Sequence, residues 1–556
     1  MTFLLSALAW LLPNHYPPWT NFHSEFMAFL AIGCLMLSLF KHSHNSFSVP
    51  VISVAVLLLV AIPWLQFAGG IVFFAGDAVM SAFYSAGLAF AIVSAYSFSK
   101  QCFGSDNNTW LLPAHAVLTA ASVSALLAVL QWLSLTDSFT TFVAVTDIGD
   151  RAMANLGQPN QLGTLLLMGL LALVLMFELV KISQLLLNLG GVFLTWAIVL
   201  TESRTALLSA LVIAGFLFYK IRARRVLGSP LRLQNKHVVL WLALYFAAVL
   251  SLPFLNSALL LAGDRQIDLL NNNGRFVIWL QTLQAIYESP WAGYGWNQTS
   301  VAQADGALYV PGNLTFTNAH NIILDLLVWV GLPLGLVISV GFGYWLLTRV
   351  RLVKTAGAIY SMAMLLPFLV HSMLEFPFAY AYFLLMAGLL IGIVESDCLK
   401  ARCFVVSKPL AAFGLAFMTA IGGYSAYEYL QIEEDYRVAR FENLKVGRTP
   451  KDYVQPDILI HTQLAAMLAA LRQPAVPNMT SEQVERLRKV SLRFGARSMV
   501  YRYAVALGLN GQPAAAARQM LILRAMFGQR AYELFKLELR QLQAEKYPEL
   551  AAVVLP

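Results

Sequence analysis

The sequence predicts an all-α polytopic integral membrane protein of about thirteen transmembrane helices, followed by a helical, soluble C-terminal domain. Of its 556 residues, 59% are hydrophobic and only 12% charged, whereas soluble domains carry about a quarter charged residues. Mean hydropathy is +0.67. Apolar runs of about 20 residues, the length a helix needs to cross a hydrocarbon core about 30 Å thick, recur up to position 425 and then stop.

In chain order the runs are 1–13, 23–40, 49–66, 77–97, 109–133, 159–180, 184–201, 205–219, 237–256, 319–348, 356–374, 379–395 and 405–425. The first has no basic flank and no small-residue cleavage site, so it reads as a retained short span and not as a signal peptide. Connections after the even-numbered runs hold Lys41, Lys100, Lys181, the cluster KIRARR (220–225) with Arg232 and Lys236, RVRLVK (349–354), and Lys400 with Arg402. The opposite connections hold only Arg151, Arg204, Arg265 and Arg275. The positive-inside rule therefore puts the basic set in the cytoplasm, with the N-terminus inside and the C-terminus outside. That distribution accounts for much of the net charge of +8 without a nucleic-acid partner. Cys34, Cys102, Cys398 and Cys403 form neither a zinc spacing nor a disulfide framework.

Two segments depart from short connections: an outer loop, 257–318, and a polar tail, 426–556. The chain thus divides into a membrane core, 1–425, and an outer helical domain, 426–556. In the tail, RYAVALGLNGQPAAAARQMLILRAMF (502–527) reads as two amphipathic helices joined at Gly508 to Gln512. The pattern fits a tetratricopeptide unit and a plain helical bundle alike.

Five polar stretches fall at outer span ends or in outer loops: QPNQ (158–161), ESR (202–204), NNNGR (271–275), NAHN (318–321) and HSMLE (371–375). Ionisable residues at such places are costly and raise a functional hypothesis. A helix beginning near Thr317 or Asn318 puts His320 in its first turn, where the helix dipole favours the neutral imidazole. The residues alone leave two readings open, a hydrogen-bonded histidine at an interfacial helix start or a proton acceptor. Arg204 follows Ser203, a suitable N-cap, and its guanidinium suits either phosphate recognition or snorkelling to headgroups. Arg275 opens a segment whose Phe276, Leu280, Leu283 and Tyr287 share a face, so it can equally serve a helix lying on the bilayer. Gln158, Asn160 and Gln161 can orient a sugar or pyrophosphate, or cap the helix that Pro159 starts. His371 and Glu375, four apart, share a helix face until Pro377 stops it, and can form a pair or a second base. No Walker motif, dinucleotide fingerprint, acidic metal pair or basic–aromatic nucleic-acid signature occurs, and the GYG of AGYGWNQ (292–298) is a turn signal.

In order and side, AHNIILDLLVWVGLPLG (319–335), ESRTALLSA (202–210) and NGRFVIWLQTLQAIYESPWAGYGWNQ (273–298) resemble the O-antigen ligase superfamily: O-antigen ligases, Wzy-type polymerases and PglL-type protein O-oligosaccharyltransferases. The resemblance covers about residues 150 to 395. ANLGQPNQLGTLL (154–166) and the long outer tail look most like the PglL branch, that of pilin glycosylation ligases.

The resemblance implies a GT-C-like glycosyltransferase of the bacterial inner membrane with its active site at the periplasmic face. Its donor is an oligosaccharide on undecaprenyl pyrophosphate, and its acceptor a Ser or Thr of a periplasmic protein such as a pilin. No metal or other cofactor is required, and membrane lipids are the remaining partners. It implies His320 as general base and Arg204 and Arg275 as the catalytic cations on the pyrophosphate. Gln158, Asn160 and Gln161 also serve donor binding, with Asn321, His371, Glu375 and Tyr380 in support. Phe376 departs from the tyrosine of many relatives, and Tyr380 and Tyr382 are the nearby hydroxyls. A lipid A core acceptor or a growing polysaccharide shares the same chemistry. A lipid-linked glycan transporter is the alternative of another class, but the polar residues gather on one face and no inverted repeat is visible.

Overall fold

The computed structural model describes residues 1–42, 46–102, 109–139, 141–146, 150–261, 273–398 and 402–555. Arg265, Asn271, Asn272 and Lys400 lie outside them. The described residues are mostly helical: α1 Thr2–Leu11, α2 Phe22–His42, α3 Val51–Leu59, α4 Ala61–Ala68, α5 Ala75–Cys102, α6 Leu112–Trp132, α7 Pro159–Glu178, α8 Gln184–Leu200, α9 Arg204–Val226, α10 Asn235–Ala258, α11 Asn273–Glu288, α12 Thr299–Tyr309, α13 Ile322–Leu352, α14 Ala356–Ser372, α15 Ala381–Ser396, α16 Lys408–Leu444, α17 Thr462–Arg472, α18 Ser481–Phe494, α19 Arg497–Leu509 and α20 Pro513–Glu545. Among the described residues nine helical segments are long and apolar enough to cross a membrane, with α3 and α4 together forming one of them. Shorter apolar helices are α1, α8, α14 and α15. Every apolar run of the sequence is helical along most of its length, and the chain is an all-α membrane protein.

Four boundaries differ from the expected ones. Residues 49–50 and 405–407, read as span starts, belong instead to an antiparallel ladder between β1 (Ser46–Pro50) and β2 (Cys403–Ser407). α16 runs from Lys408 to Leu444, so position 425 falls inside a continuous helix; between Tyr424 and Val446 there is no Gly or Pro to stop it. α13 starts at Ile322, not near 318, and breaks at Gly331, where φ is 77° and ψ 168°.

The chain forms two compact units. The first comprises residues 1–57, 84–269 and 343–419, the second 58–83, 270–342 and 420–556. In the first, α7 is the central helix, packed by α6, α8, α9 and α14, and it is buried along almost its whole length. Small residues let its neighbours approach closely: a Cβ on Gly169 would lie 2.2 Å from Ala121 Cβ, and one on Gly163 would lie 2.9 Å from Ala206 Cβ. The QPNQ stretch forms the first turn of this central helix. Several bonds in this unit join residues that the charge pattern assigns to one side. Arg349 pairs with Glu395 at 2.7 Å, buried Lys220 donates to the carbonyls of Arg351 and Val353 at 3.2 and 2.9 Å, and the Arg232 amide donates to Glu178 at 2.9 Å.

The second unit contains helices α11 and α12 of the long connection before α13, the first part of α13 and the tail. Arg493 of α18 forms a bidentate pair with buried Asp77 at 2.8 and 3.0 Å, and Ser300 of α12 donates to the Arg493 carbonyl at 2.7 Å. The expected helix–turn–helix is present as α19 and α20, joined at Asn510 to Gln512 with Gly511 at φ 77°. α20 extends well past 527, with a break at Gly528, φ 82° and ψ 171°.

Candidate active site

Each unit carries one cluster of the residues singled out in the sequence. In the first unit the cluster begins at the start of α7. Gln158 is its N-cap, accepting the Gln161 amide at 2.9 Å, and Pro159 occupies the first helical position, where its missing N–H costs nothing. The capping reading is therefore correct for Gln158, but the side chain does more: its amide group donates to Glu375. Asn160 also donates to Glu375, at 2.8 Å, and its carbonyl oxygen accepts from Ser203 at 2.6 Å and Arg151 at 3.3 Å. Gln161 accepts the Tyr382 hydroxyl at 2.9 Å and also bonds Tyr380. The amides of QPNQ thus tie together the ends of α7, α9, α14 and α15.

Glu375 sits beyond the end of α14, which stops at Ser372 and not at Pro377 as the sequence suggested. Its amide still bonds the His371 carbonyl at 2.8 Å, and its carboxylate lies 3.9 Å from His371 Nε2. His371 is buried, with Nδ1 2.9 Å from Thr164 Oγ. Phe376, in the place of the expected tyrosine, stacks on Tyr380 with centroids 5.9 Å apart, and Tyr380 stacks on Tyr382 at 5.6 Å.

Arg204 is the first residue of α9. Ser203 caps that helix, its hydroxyl accepting the Ala206 amide at 3.1 Å, and Arg204 itself is exposed. The preceding Glu202 has φ 45°, a left-handed conformation uncommon outside glycine. The tight break between α8 and α9 thereby turns the chain within a few residues and leaves a guanidinium at the start of a helix.

In the second unit, Arg275 stands in the first turn of α11 and is partly exposed. α11 is strongly two-faced: Ile278, Gln281, Thr282, Ala285 and Ile286 are buried, whereas Phe276, Leu280, Leu283 and Tyr287 are exposed. Its buried Gln281 donates to the Val310 carbonyl at 2.7 Å and accepts from Gln303 of α12 at 3.2 Å. Gln303 in turn donates to the Leu314 carbonyl at 2.7 Å and accepts the Phe316 amide at 3.1 Å. Two buried glutamines therefore fix the loop leading to His320 against the helix that carries Arg275.

His320 is not in the first turn of a helix, which corrects the expected placement. Asn321 is the N-cap, its side-chain oxygen accepting the Ile323 and Leu324 amides at 3.0 and 3.2 Å. His320 stands just outside the helix, partly exposed, with φ 55°. For a residue with a Cβ such a conformation persists only where the surroundings impose it, and it concentrates at functional sites. The AGYGWNQ segment is the turn expected. It docks where α13 breaks, with the Tyr294 amide donating to Val328 at 2.7 Å, Gly295 to Trp329 at 3.1 Å and the Leu332 amide to Pro290 at 2.7 Å.

Several contributors were not singled out in the sequence: Arg151 and Thr164 in the first unit, and Asp325, Thr299, Gln281 and Gln303 in the second. Thr164, Thr299, Gln281 and Gln303 are ordinary polar residues that only their buried partners mark out, whereas Asp325, a carboxyl group inside the apolar run 319–348, and Arg151, one of the few basic residues of the opposite connections, carried a signal in the sequence. Glu25, buried at the start of α2, is a further case, accepting from the Tyr84 hydroxyl. Among the described residues no group of three or more His, Cys, Asp and Glu side chains is placed to hold a metal ion.

Residues 189–339 match the O-antigen ligase family, and residues 359–541 match the family described as virulence factor membrane-bound polymerase, C-terminal. The first match spans Arg204, Arg275 and His320. Over 542 residues the chain is 28% identical to a general O-oligosaccharyltransferase of Acinetobacter baylyi, covering 95% of this chain and 92% of that protein. Over 409 residues it is 29% identical to a ComP-specific O-oligosaccharyltransferase of the same organism, covering 70% of each.

Proposed function

The chain belongs to the O-antigen ligase superfamily, in its PglL-type branch, and from that premise we propose that this membrane glycosyltransferase carries out O-linked protein glycosylation. In this reading it transfers an oligosaccharide en bloc from undecaprenyl pyrophosphate to a Ser or Thr hydroxyl of a periplasmic protein, such as a pilin. The acceptor oxygen attacks the anomeric carbon while the bond from that carbon to the pyrophosphate oxygen breaks. The bonding electrons leave with the pyrophosphate, and the hydroxyl proton passes to the His320 imidazole. Negative charge grows on the leaving group. Arg204 and Arg275 offset it with guanidinium donors whose planar fork matches phosphate oxygens. Gln158, Asn160 and Gln161 serve the donor side by organising Ser203 beside Arg204 and by holding Glu375 and the Tyr380–Tyr382 pair. No metal or cofactor takes part.

The observation that carries this reading is His320 itself: a partly exposed imidazole held at φ 55° on a loop tied to the helix of Arg275. The pairing of Arg349 with Glu395, and of β1 with β2, supports placing these connections after even-numbered runs on one side; in this reading thirteen spans cross the bacterial inner membrane, with the candidate site and tail in the periplasm. In the tail, the α19–α20 pair is read as a tetratricopeptide-like unit.

The test reconstitutes purified protein with extracted lipid-linked oligosaccharide and candidate periplasmic acceptors, and identifies the glycosylated product by mass spectrometry. His320→Ala is expected to abolish transfer while unfolding at the wild-type temperature. Transfer near the wild-type rate in that variant would sink the assignment of the base.

A further inference from the structure

We propose that Asp325 is a positioning residue of the transfer reaction, which selects the backbone conformation that presents His320; the proposal rests on the reading of His320 as the base. Asp325 lies in α13 among Leu324, Leu326, Leu327 and Val328 and is completely buried. An apolar side chain would suit that environment better, because burying a carboxyl group is costly unless its oxygens are paired. Asp325 Oδ1 accepts two hydrogen bonds, from the Ala319 amide at 2.8 Å and from the Thr299 hydroxyl at 2.7 Å. Oδ2 has no hydrogen-bond partner among the described residues. A buried carboxyl group is an expensive way to stabilise a helix, and calls for another reason.

The reason lies in which hydrogen bond it makes. The start of α13 is already capped by Asn321, and the Asp325 amide closes that first turn on the Asn321 carbonyl at 2.9 Å. The Asp325 side chain reaches back past the cap to Ala319, the residue before His320. Ala319 is itself completely buried, so its amide has no solvent to turn to. The residues on both sides of His320 are thus fixed, Ala319 by Asp325 and Asn321 by its capping bonds, and the left-handed conformation between them follows. Thr317 and Asn318 are also good N-caps, and a helix started there would draw His320 into its first turn. Asp325 decides between these two starts, because the Ala319 amide donates to its carboxyl group.

Thr299 sets the direction of the Asp325 side chain. Its hydroxyl donates to Asp325 and accepts from Trp329 Nε1 at 2.8 Å, so its orientation is determined from both sides. Trp329 packs against Trp296, centroids 5.4 Å apart, and its carbonyl accepts from Gln66 at 2.7 Å. The chain of contacts therefore runs from a packed tryptophan through Thr299 and Asp325 to the residue next to His320, all within the second unit.

The experiment measures transfer kinetics, direct donor binding and thermal unfolding for Asp325→Ala, Asp325→Asn, Thr299→Val and Thr299→Ser. Misplacing a reacting group by about 1 Å costs on the order of 10²-fold in rate, so Asp325→Ala is expected to lose about that factor in kcat with donor affinity unchanged. Asp325→Asn keeps an acceptor for Ala319 and is expected to retain much of the turnover. Thr299→Val should lower kcat and Thr299→Ser should restore it, which keeps the test open if Asp325→Ala does not fold. Wild-type kcat in Asp325→Ala or in Thr299→Val would overturn the proposal. So would a fall in donor affinity that matches the fall in kcat, the mark of a general structural role. Should His320→Ala keep transferring glycan, the reading of the base fails; should His320→Ala be inactive while Asp325→Ala turns over normally, only the positioning role does.

Discussion

Gly331→Ala tests how the 290–295 turn is held on α13. At this residue φ is 77° and ψ 168°, a region essentially restricted to glycine that costs other residues about 1–3 kcal/mol. The added Cβ would lie 2.2 Å from the Trp291 carbonyl oxygen, 2.5 Å from its carbon and 2.9 Å from the Pro290 oxygen. All three are backbone atoms, so no side chain can swing away. Relief requires the 290–295 turn to leave α13, which breaks the bonds of Leu332 to Pro290, Tyr294 to Val328 and Gly295 to Trp329. At about 1 kcal/mol net for each bond, strain and lost bonds together cost on the order of 4–6 kcal/mol, comparable with the whole stability of many domains, about 5–15 kcal/mol. Gly341→Ala is the control, because the same helix leaves open space around its Cβ. Thermal unfolding in detergent and limited proteolysis across residues 289–298 provide the assay. Gly331→Ala is expected to unfold at a markedly lower temperature and to be cut there, Gly341→Ala to match wild type. If Gly331→Ala unfolds with wild type and resists protease, the break in α13 is not what seats the turn.

Three further outcomes are expected. Arg275→Lys and Arg204→Lys keep the charge but lose the fork, so the apparent KM for donor should rise several-fold in each; saturation curves that overlay wild type across donor concentrations would count against pyrophosphate contact. Glu375→Ala leaves the amides of Gln158 and Asn160 without their acceptor, at a cost of about 1–3 kcal/mol for a buried donor. Differential scanning should show a lower unfolding temperature than for Glu375→Gln, and equal temperatures would remove Glu375 from the framework. His461 is buried, and burial holds its pKa below the usual histidine value even though the Ser425 carbonyl and Glu428 favour the charged form. The unfolded chain therefore takes up this proton near pH 6.5, about the free histidine value, while the folded chain resists it to lower pH. Above that pH both states are neutral and there is no effect; as pH falls below it, the fold loses stability. Unfolding temperature should drop from pH 7 to pH 5, with a shallower drop in His461→Asn; parallel curves would rule out this histidine as the cause.

Much of the fold was legible because its determinants are local. A helix that crosses lipid must satisfy its backbone internally, so hydropathy alone located the apolar helices. Caps are local as well: Ser203 before α9 and Gln158 with Pro159 at α7 were readable because the capping group and the amide it accepts lie within three residues. The turn at Asn510 to Gln512 belongs to the same class. The ladder between Ser46–Pro50 and Cys403–Ser407 was not legible, since its partners stand more than 350 positions apart and each alone continues an apolar run.

The candidate site divides in the same way. By itself the sequence determined which residue types stand at which span ends, and that His320, Arg204 and Arg275 occupy family motifs in order. Only the tertiary structure decided that Glu375 is the acceptor for Gln158 and Asn160, and that Arg151 and Ser203 share Asn160. It also decided that His320 stands outside its helix at φ 55°. The physical reason is that a buried polar group must find a partner wherever packing supplies one. Asp325 finds the Ala319 amide and Thr299, and that choice overrides the local preference of Thr317 and Asn318 to start the helix three or four residues earlier.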